Sequence, residues 1–255
     1  MNASLEDRVH STESHLFIES PAERRLSLKQ QERLQRISIC LNYKSGTTLC
    51  SQGGQAKFVY LIVEGVIRLT RYDEFGHRQI LALRVPGDLC GIPHEGSYFD
   101  SAETVSPARI CHLEWRQVQE LSRTEPQLQA FMFDRILCNY RGAQKRIAIL
   151  GQQDGCQRVT SCILELIMIP EFFNKELSSL ILPGNRLDFA DYLGTTAESV
   201  TRAITKLESL GLIRRISARR IDILDIAGLL VLQRGPERRC HPNRETKKKK
   251  RFLDS

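Results

Sequence analysis

The chain has 255 residues, 41% of them hydrophobic, which is enough for two domains with cores of ordinary size. Its formal net charge of +7 fits a polyanionic partner, although part of the excess lies in the basic run 247–251 of a solvated tail. Residues 1–15 lack the basic start and apolar core of a secretory signal, and no apolar run is long enough to span a membrane. We therefore expect a cytoplasmic protein without membrane contact.

In chain order, a helical segment is followed by a β-rich region. Residues 21–40 have a helical pattern, and from Leu41 short β-rich runs alternate with glycines. The clearest strands cover residues 58–70 and 78–85, and Asp73–Gly76 fits a hairpin turn between them. Several short strands at this spacing predict a small antiparallel barrel and, with the flanking helices, an α+β protein.

A long helix is predicted next, from Pro126 to Leu150, because proline suits a first helical turn and apolar residues then recur at helical spacing. The main apolar stripe consists of Met132, Ile136, Tyr140, Ala143, Ile147 and Leu150. Phe131, Phe133 and Leu137 widen it, and a helix that is apolar on more than one side must be buried on more than one side. We expect one side to cover the barrel and the other to pair with a second copy. Burial inside one subunit is the alternative.

A helix-turn-helix is predicted over residues 186–211, after a polar break in which Asp154 can cap a helix over Cys156–Ile169. The inner face of its first helix is assigned to Leu187, Ala190 and Leu193, and Gly194 allows the turn. The second helix is predicted to begin at Thr195 and end at Gly211, with a capping box between Thr195 and Glu198. Its apolar stripe consists of Val200, Ala203, Ile204, Leu207 and Leu210. Residues 213–224 read as a β-hairpin wing.

The polar face of the second helix carries side chains that can read bases in a major groove. Arg202 can bind guanine through two hydrogen bonds, or form a salt bridge with Glu198. Glu198 can accept a hydrogen bond from cytosine, or act as the capping partner of Thr195. Thr201 can touch a thymine methyl or a phosphate, or be a plain surface residue. Six further residues are candidates for phosphate contacts or solvated surface charge: Arg186, Lys206, Arg214, Arg215, Arg219 and Arg220.

The sequence carries no recognisable catalytic or metal-binding motif. It has no P-loop, G-x-S-x-G or H-E-x-x-H motif, and its eight cysteines form no C-x-x-C pair. We expect most of the cysteines to be free and buried. His77, His94 and His112 have no partners at ligand spacing, so we interpret them as turn and surface residues.

The order of barrel, long helix, hinge and winged helix-turn-helix resembles the CRP–FNR family of bacterial transcription regulators over roughly residues 25–230. Two segments are similar to the barrel signature of that family, GGQAKFVYLIVEGVIRLTRYDEFGHRQI and PGDLCG. A third segment is similar to its DNA-binding signature in the FNR/FixK form, RLDFADYLGTTAESVTRAITKLESLGLI. The resemblance implies a cyclic-nucleotide-binding-like β-barrel (jelly roll), a long dimerisation helix and a C-terminal winged helix-turn-helix. The corresponding regions are a flexible N-terminus (1–24), the effector-like barrel (25–125), the dimerisation helix and hinge (126–153), the DNA-binding domain (154–232) and a basic tail (233–255).

The resemblance also implies a function and its partners. It implies a homodimer that binds double-stranded DNA and contacts RNA polymerase, with the Asp73–His77 hairpin as a candidate polymerase surface. Two recognition helices would enter successive major grooves about one helical turn apart. Ala197 stands where CRP-type members have a base-reading arginine, which favours TTGA-type half-sites over TGTGA. The resemblance favours a DNA contact for Arg202 over a role as only the salt-bridge partner of Glu198.

Departures from the family pattern argue against its known effectors. Members that bind cyclic AMP have polar contacts at the positions that align with Ile92, Ser101-Ala102 and Ala143-Gln144, and the required groups are missing here. FNR holds an iron–sulfur cluster with one barrel cysteine, matched by Cys111, and several N-terminal ones, but no cysteine precedes Cys40. We interpret Cys111 as a core residue and expect no cofactor.

The sequence therefore predicts a regulator of the FNR/FixK type, more an activator than a repressor, that is effector-free or indirectly controlled by oxygen or redox state. Oxidation of an exposed thiol, with Cys240 as the candidate, is one indirect route. The first alternative is a regulator that senses haem or a small molecule in the barrel. The second, from another class, is a cyclic-nucleotide-binding module associated with an enzyme.

Overall fold

The computed structural model describes residues 28–235, and two antiparallel β-sheets form most of the N-terminal half of this range. The strands are β1 Ser38–Tyr43, β2 Thr48–Cys50, β3 Phe58–Glu64, β4 Ile67–Tyr72, β5 Arg78–Arg84, β6 Leu89–Cys90, β7 Pro93–His94, β8 Ser97–Tyr98, β9 Ser101–Thr104 and β10 Ala108–Glu114. One sheet has the order β1-β10-β3-β6, the other has the order β2-β9-β4-β5, and β7 pairs with β8. The arrangement is a jelly roll that is not closed into a continuous barrel; we call residues 38–114 the β-domain.

Strand β3 is buried on both faces, because the sheet lies between a second sheet and a layer of helices. Tyr60 and Ile62 contribute to the core shared by the two sheets, whereas Val59 and Leu61 contribute to the core under the helices. That outer layer consists of α1 Leu28–Arg36, α2 Trp115–Thr124 and α3 Pro126–Gln152. The alternation of Val59, Tyr60, Leu61 and Ile62 follows the two-residue period of a strand. Burial on both faces explains why this strand reads as a continuous apolar run.

Two strand boundaries differ from the sequence prediction. The predicted strand over residues 58–70 is two strands, because Gly65 turns the chain with φ +83° and leads from one sheet to the other. A side chain at Gly65 would collide with the Pro107 carbonyl. The first strand begins at Ser38, before the predicted Leu41, since the whole of β1 pairs in register with β10. The hairpin turn between β4 and β5 is confirmed, with Asp73 accepting hydrogen bonds from the Phe75 and His77 amides.

The C-terminal half of the described range consists of helices α4 Gly155–Ile167, α5 Arg186–Leu193, α6 Ala197–Ser209 and α7 Ile226–Arg234, with strands β11 Phe173–Asn174, β12 Ser179–Ile181, β13 Ile213–Arg215 and β14 Arg220–Ile223. The four strands form one sheet in the order β11-β12-β14-β13, so the predicted wing is confirmed and extended by two strands. The predicted cap at Asp154 is confirmed, because Asp154 and Gln157 form a reciprocal capping box. Helix α7 was not predicted, although Asp225 caps it by accepting a hydrogen bond from Gly228.

Several predictions lie wholly or partly outside the described residues. These are the N-terminus 1–24, the basic run 247–251 and Cys240. The tail was predicted from residue 233, but α7 continues to Arg234. No helix within residues 28–235 combines the length and apolar character needed to cross a lipid bilayer.

The two sides of α3 have different environments, so that part of its predicted apolar stripe is buried and part is exposed. Met132 is only 6% exposed and packs in the β-domain core, so placing it in one stripe with the residues that could pair with a second copy was wrong. Leu150 is half-buried and its side chain reaches Gly194. The remaining stripe residues, Ile136, Tyr140, Ala143 and Ile147, are exposed in the single chain, together with Phe133. Helix α3 therefore covers the β-domain with one side and leaves an apolar side unpartnered.

Cysteines at opposite positions on β1 and β10, Cys40 and Cys111, are joined by a disulfide bond. Cys111 is fully buried, as expected of a core residue, but it is not free. The bond connects residues 71 positions apart, which no sequence spacing would reveal. Among the free cysteines that the structure describes, Cys50, Cys90 and Cys162 are buried, Cys156 is intermediate and Cys138 is exposed.

One of the three histidines differs from its predicted environment. His77 lies in the exposed hairpin turn, where its ring nitrogen is 2.9 Å from an Asp73 oxygen, and His94 is exposed. His112 is not a surface residue: its ring packs against Tyr60, and its Nε2 is 2.6 Å from the Tyr43 hydroxyl. Burial lowers the pKa of His112, which favours the neutral ring.

A cluster of charged residues joins the β-domain to α5. Arg68 of β4 donates to Asp188 over 3.1 Å and to Glu103 over 2.8 Å. Arg78 of β5 lies 2.5 Å from Asp188 and 2.6 Å from Asp191. Burial raises the pKa of the Asp188 carboxyl, but the hydrogen bond from the Asn185 amide and the two guanidiniums outweigh burial, so the pKa is lowered. The cluster therefore fixes α5 against the β-domain when Asp188 is ionised.

Replacing Arg78 by alanine is expected to lower the free energy of unfolding by about 2 kcal/mol near neutral pH. The loss is smaller than for a fully buried ion pair, because Arg78 is partly exposed. The lowered pKa means that Asp188 contributes stability above its unfolded pKa of about 3.9 and loses it as the pH falls through the folded value. Urea unfolding at pH values from about 7 to about 3 should show that the difference in unfolding free energy between wild type and Arg78→Ala becomes smaller as the pH falls. Arg116→Ala, on the exposed face of α2, is the matched control. A gap that stays constant across this range would contradict the prediction.

Candidate nucleic-acid interface

Helices α5 and α6 form the helix-turn-helix, and α5 is held at both ends. Asn185 and Asp188 exchange hydrogen bonds of 2.9 and 3.0 Å in a capping box. Gly194 ends the helix in the left-handed conformation, with φ +58°, as predicted. The predicted inner face was wrong at one position: Leu187 is 59% exposed, and Phe189 is buried beside Ala190 and Leu193. The buried face of α5 is therefore rotated relative to the predicted one, with Phe189 in the core in place of Leu187.

The N-cap of helix α6 lies one residue later than predicted. Thr196, not Thr195, is the N-cap, and its hydroxyl oxygen accepts a hydrogen bond from the Ser199 amide. Glu198 is therefore a first-turn residue rather than the partner of Thr195 in a capping box. Its own backbone amide, the Thr196 hydroxyl and the Arg202 guanidinium lower the pKa of the exposed Glu198 carboxyl. A carboxylate in the first turn is also favoured by the helix dipole.

The buried face of α6 agrees with the sequence pattern over most of its length. Val200, Ala203, Ile204 and Leu207 are buried in the core of the C-terminal half. Leu210 was predicted in this stripe but is 51% exposed, because the helix ends at Ser209 and Leu210 is its C-cap. Gly211 follows with φ +70° and reverses the chain toward the wing.

The opposite face of α6 brings the predicted base-reading residues together. Glu198, Thr201 and Arg202 are all exposed and lie within one turn of the helix. Arg202 Nη2 donates a hydrogen bond of 3.1 Å to Ser199 Oγ, one turn back on the helix, and not to the Glu198 carboxylate. Thr201 Oγ1 donates to the Ala197 carbonyl over 2.9 Å. We call these three residues, together with Thr205, the reading face.

The residues predicted to contact phosphate lie on α5, on α6 and on the wing. Arg186 at the start of α5 extends to 3.4 Å from the Thr201 hydroxyl, and Lys206 is exposed on α6. The wing arginines are exposed but tethered: Arg214 pairs with Asp222 over 3.1 Å, and Arg215 lies 3.7 Å from Glu208. Arg219 Nε donates to the Leu182 carbonyl, in the chain before α5. Arg220 Nε donates to the Ser179 hydroxyl of β12. Arg186 therefore lies beside the reading face and Lys206 shares its helix, while the four wing arginines are exposed on the adjoining hairpin.

A cleft of about 440 Å³ lies between the β-domain, α3 and the C-terminal half. Its charged lining includes Arg84, Asp100, Arg146 and Glu165. Arg84 Nε and Arg146 Nη2 are buried without a hydrogen-bond partner among the described residues, and the Arg146 guanidinium stacks on Tyr192. Sequence reasoning missed Arg84, since an isolated arginine in a strand carries no motif.

The side chains at two of the positions that align with cyclic-AMP contacts, Ile92 and Ser101-Ala102, do not fit a cyclic nucleotide. Ile92 packs against the β-domain core and has no group to accept a ribose hydroxyl. The Ser101 hydroxyl already accepts a hydrogen bond from the Gln52 amide, and Ala102 is fully buried. In the cleft, burial raises the pKa of the half-buried Asp100 carboxyl by more than the charge of nearby Arg84 lowers it. Within residues 28–235, no three His, Cys, Asp or Glu side chains group as a metal site.

Comparison with protein families gives two matches that divide the chain where the fold does. Residues 40–125 match the cyclic nucleotide-binding domain, and residues 157–232 match the Crp-like helix-turn-helix domain. The nitrogen fixation regulation protein FixK of Azorhizobium caulinodans is 32% identical over 68% of this chain and 71% of its own length. FixK of Rhizobium meliloti is 30% identical over 73% and 83%. The transcriptional activator protein FnrL of Cereibacter sphaeroides is 26% identical over 77% and 81%.

Solved structures share the fold described above. The structure of FixK2 from Bradyrhizobium japonicum superposes with a TM-score of 0.68 at 24% identity, covering 76% of this chain and 96% of that one. A CRP/FNR family transcriptional regulator from Thermus thermophilus superposes with a TM-score of 0.65 at 25% identity, covering 77% and 98%. The order of jelly roll, long helix and helix-turn-helix is therefore shared along nearly the whole length of these proteins.

Proposed function

This chain belongs to the CRP–FNR family of transcription regulators, in its FixK branch, and from this premise we propose that it acts as a homodimer on TTGA-type palindromes. It is a DNA-binding regulator and not an enzyme, which sets aside the enzyme-associated nucleotide-binding module. The observation that carries the proposal is the exposed triad of Glu198, Thr201 and Arg202 on one turn of α6. A carboxylate, a threonine and an arginine at this spacing can contact neighbouring base pairs.

Dimerisation through α3 is the second part of the proposal. Phe133, Ile136, Tyr140, Ala143 and Ile147 are separated by alternating steps of three and four residues, which is the spacing of a coiled-coil seam. Their side chains are exposed in the single chain as described over residues 28–235, and Ile147 is 62% exposed. Pairing of two α3 helices would bury this stripe and set two reading faces on one side of the DNA.

Contact with RNA polymerase, and hence activation, is proposed for the hairpin Asp73–His77. The turn is rigid, because Asp73 accepts from two backbone amides of the loop, and Phe75 at its tip is 77% exposed. An exposed aromatic residue on an ordered turn is a suitable anchor for a protein partner. Removal of the Phe75 ring is the direct way to examine this contact in a transcription assay.

We propose that the protein binds DNA without cyclic AMP and without an iron–sulfur cluster. The side chains at the aligned positions support this, since Ile92 packs against the β-domain core and has no polar group, and Ala102 is apolar and fully buried. The Cys111 sulfur, which would be the barrel ligand of a cluster, is bonded to Cys40. Control by oxygen would then act through the amount of protein or through thiol oxidation, for which Cys138 is the exposed thiol within the described residues.

Freshly purified aerobic protein is therefore expected to bind a TTGA palindrome equally well with and without cyclic AMP. The measurement is a binding titration at a stated salt concentration, combined with metal analysis and an absorption spectrum of the same sample. A requirement for the nucleotide, or stoichiometric iron or haem in the active protein, would contradict the proposal. It would instead support a regulator that senses its ligand directly.

A further inference from the structure

Arg158, in the first turn of α4, connects the end of the long helix to the turn of the helix-turn-helix. Its Nη2 donates to the Leu150 carbonyl over 2.7 Å, and its Nε donates to the Gln153 carbonyl over 3.0 Å. Its Nη1 lies 3.4 Å from the Gly194 carbonyl, at the end of α5. One half-buried side chain thus contacts two other chain segments, the end of α3 and the turn of the helix-turn-helix.

The chemistry of the contact requires arginine. The last carbonyls of a helix have no partner within the helix, and a cation at this end is favoured by the helix dipole. The guanidinium presents its donors in a rigid fork, so that it can satisfy several carbonyls at once, whereas lysine offers a single donor centre. The two short bonds hold the end of α3, and the third contact reaches the turn of the helix-turn-helix.

Neighbouring contacts leave this junction little freedom. The Leu150 side chain reaches Gly194, so that the end of α3 also packs on the turn. On the other side, Ser161 donates to the Gln153 side chain over 2.7 Å and accepts from Gln233 of α7 over 3.1 Å. Thr196, the N-cap of the recognition helix, follows Gly194 by two residues. A displacement at Arg158 would therefore change the direction of α6 relative to α3.

We propose that Arg158 is a positioning residue that fixes the recognition helix at a set angle to the dimer helix, and thereby sets which half-site spacing the protein accepts. The inference rests on the proposed function, because spacing has meaning only for a dimer on a palindrome. Arg158 itself lies outside the reading face, so its role concerns the geometry of two half-sites and not the recognition of one.

The test compares full-length wild type, Arg158→Ala and Arg158→Lys, with Arg116→Ala as the matched surface-arginine control. Each protein is titrated against a single half-site, the palindrome with the preferred spacing, and palindromes with one base pair added or removed. Wild type should prefer its best spacing by about tenfold or more, since simultaneous engagement depends on matched geometry. Arg158→Ala should retain its affinity for the single half-site within about twofold, and its spacing preference should fall to about threefold or less.

The outcomes separate the inference from the proposed function. Failure of wild type to bind any palindrome would overturn the proposed function itself. A wild type without spacing preference, or an Arg158→Ala protein with the wild-type preference, would overturn the role of Arg158. An equal loss at the single half-site and the palindrome would show a general structural role instead. If circular dichroism shows that Arg158→Ala is unfolded, Arg158→Lys decides: an intermediate preference supports the inference, and the wild-type preference overturns it.

Discussion

Replacing Ile136 or Ile147 by glutamate is expected to convert the dimer into a monomer and to abolish binding to the palindrome. Both side chains lie on the exposed apolar side of α3, at 42% and 62% exposure in the single chain. Two-fold pairing places each introduced carboxylate in the seam twice. The loss combines about 1.5–3 kcal/mol of apolar burial per side chain with the larger cost of desolvating a charge. Few dimers tolerate a change of this size.

Sedimentation velocity at several concentrations measures the first effect, and titration against the palindrome measures the second. Ala148→Glu is the matched control, because it adds the same charge one residue from Ile147 on an exposed position that lies off the stripe. If both isoleucine variants sediment and bind the palindrome as wild type does, the dimer interface lies elsewhere. Loss of dimerisation in the Ala148→Glu control would show that added charge, and not the stripe, is responsible.

Replacing Arg202 by alanine is expected to weaken binding to the specific palindrome by about 1–3 kcal/mol per half-site, the value of one bidentate contact with guanine. Since a dimer uses two half-sites, the total loss could approach about 2–6 kcal/mol, or roughly 30-fold to more than 10⁴-fold. The Arg202 side chain is exposed, and its 3.1 Å hydrogen bond to Ser199 is a solvent-exposed one that a contact with a base can replace. Binding to random DNA should change much less.

The matched control is Lys206→Ala, which removes a cation from the same exposed helix. A phosphate contact should weaken specific and random DNA binding about equally and reduce the salt dependence by about one unit of slope. Titrations of both variants on the palindrome, on a random duplex and on palindromes with single base changes separate the two roles. An Arg202→Ala protein that loses equal affinity for specific and random DNA would show that Arg202 contacts only phosphate.

The local periodicity of the sequence determined most of the helix-turn-helix. Val200, Ala203, Ile204 and Leu207 follow the 3.6-residue period, and this places the reading face on the opposite side of α6. Glycine at position 194 predicted the turn, since it adopts a positive φ at little cost. The same logic identified the cap at Asp154 and the proline start of α3.

Positions near helix ends were less predictable from sequence. Thr195 and Thr196 are both good N-caps, and only the hydrogen bond to Ser199 distinguishes them. Leu187 and Leu210 continue an apolar period in the sequence, but Leu187 lies outside the buried face that contains Phe189, and Leu210 is the C-cap of α6. Apolar periodicity marks a buried face only while the helix remains packed against the rest of the domain.

The sequence by itself determined the order of the elements, the polarity of the recognition helix and the kinship of the chain, because these depend on local spacing and on long contiguous motifs. Only the tertiary structure decided which side of α3 faces the β-domain, with Met132 inward and Ile136 outward. It alone paired Cys40 with Cys111, joined Arg78 to Asp188 and brought Arg158 to both Leu150 and Gly194. These contacts join residues that the pattern of the chain does not relate, since they arise from the packing of whole elements.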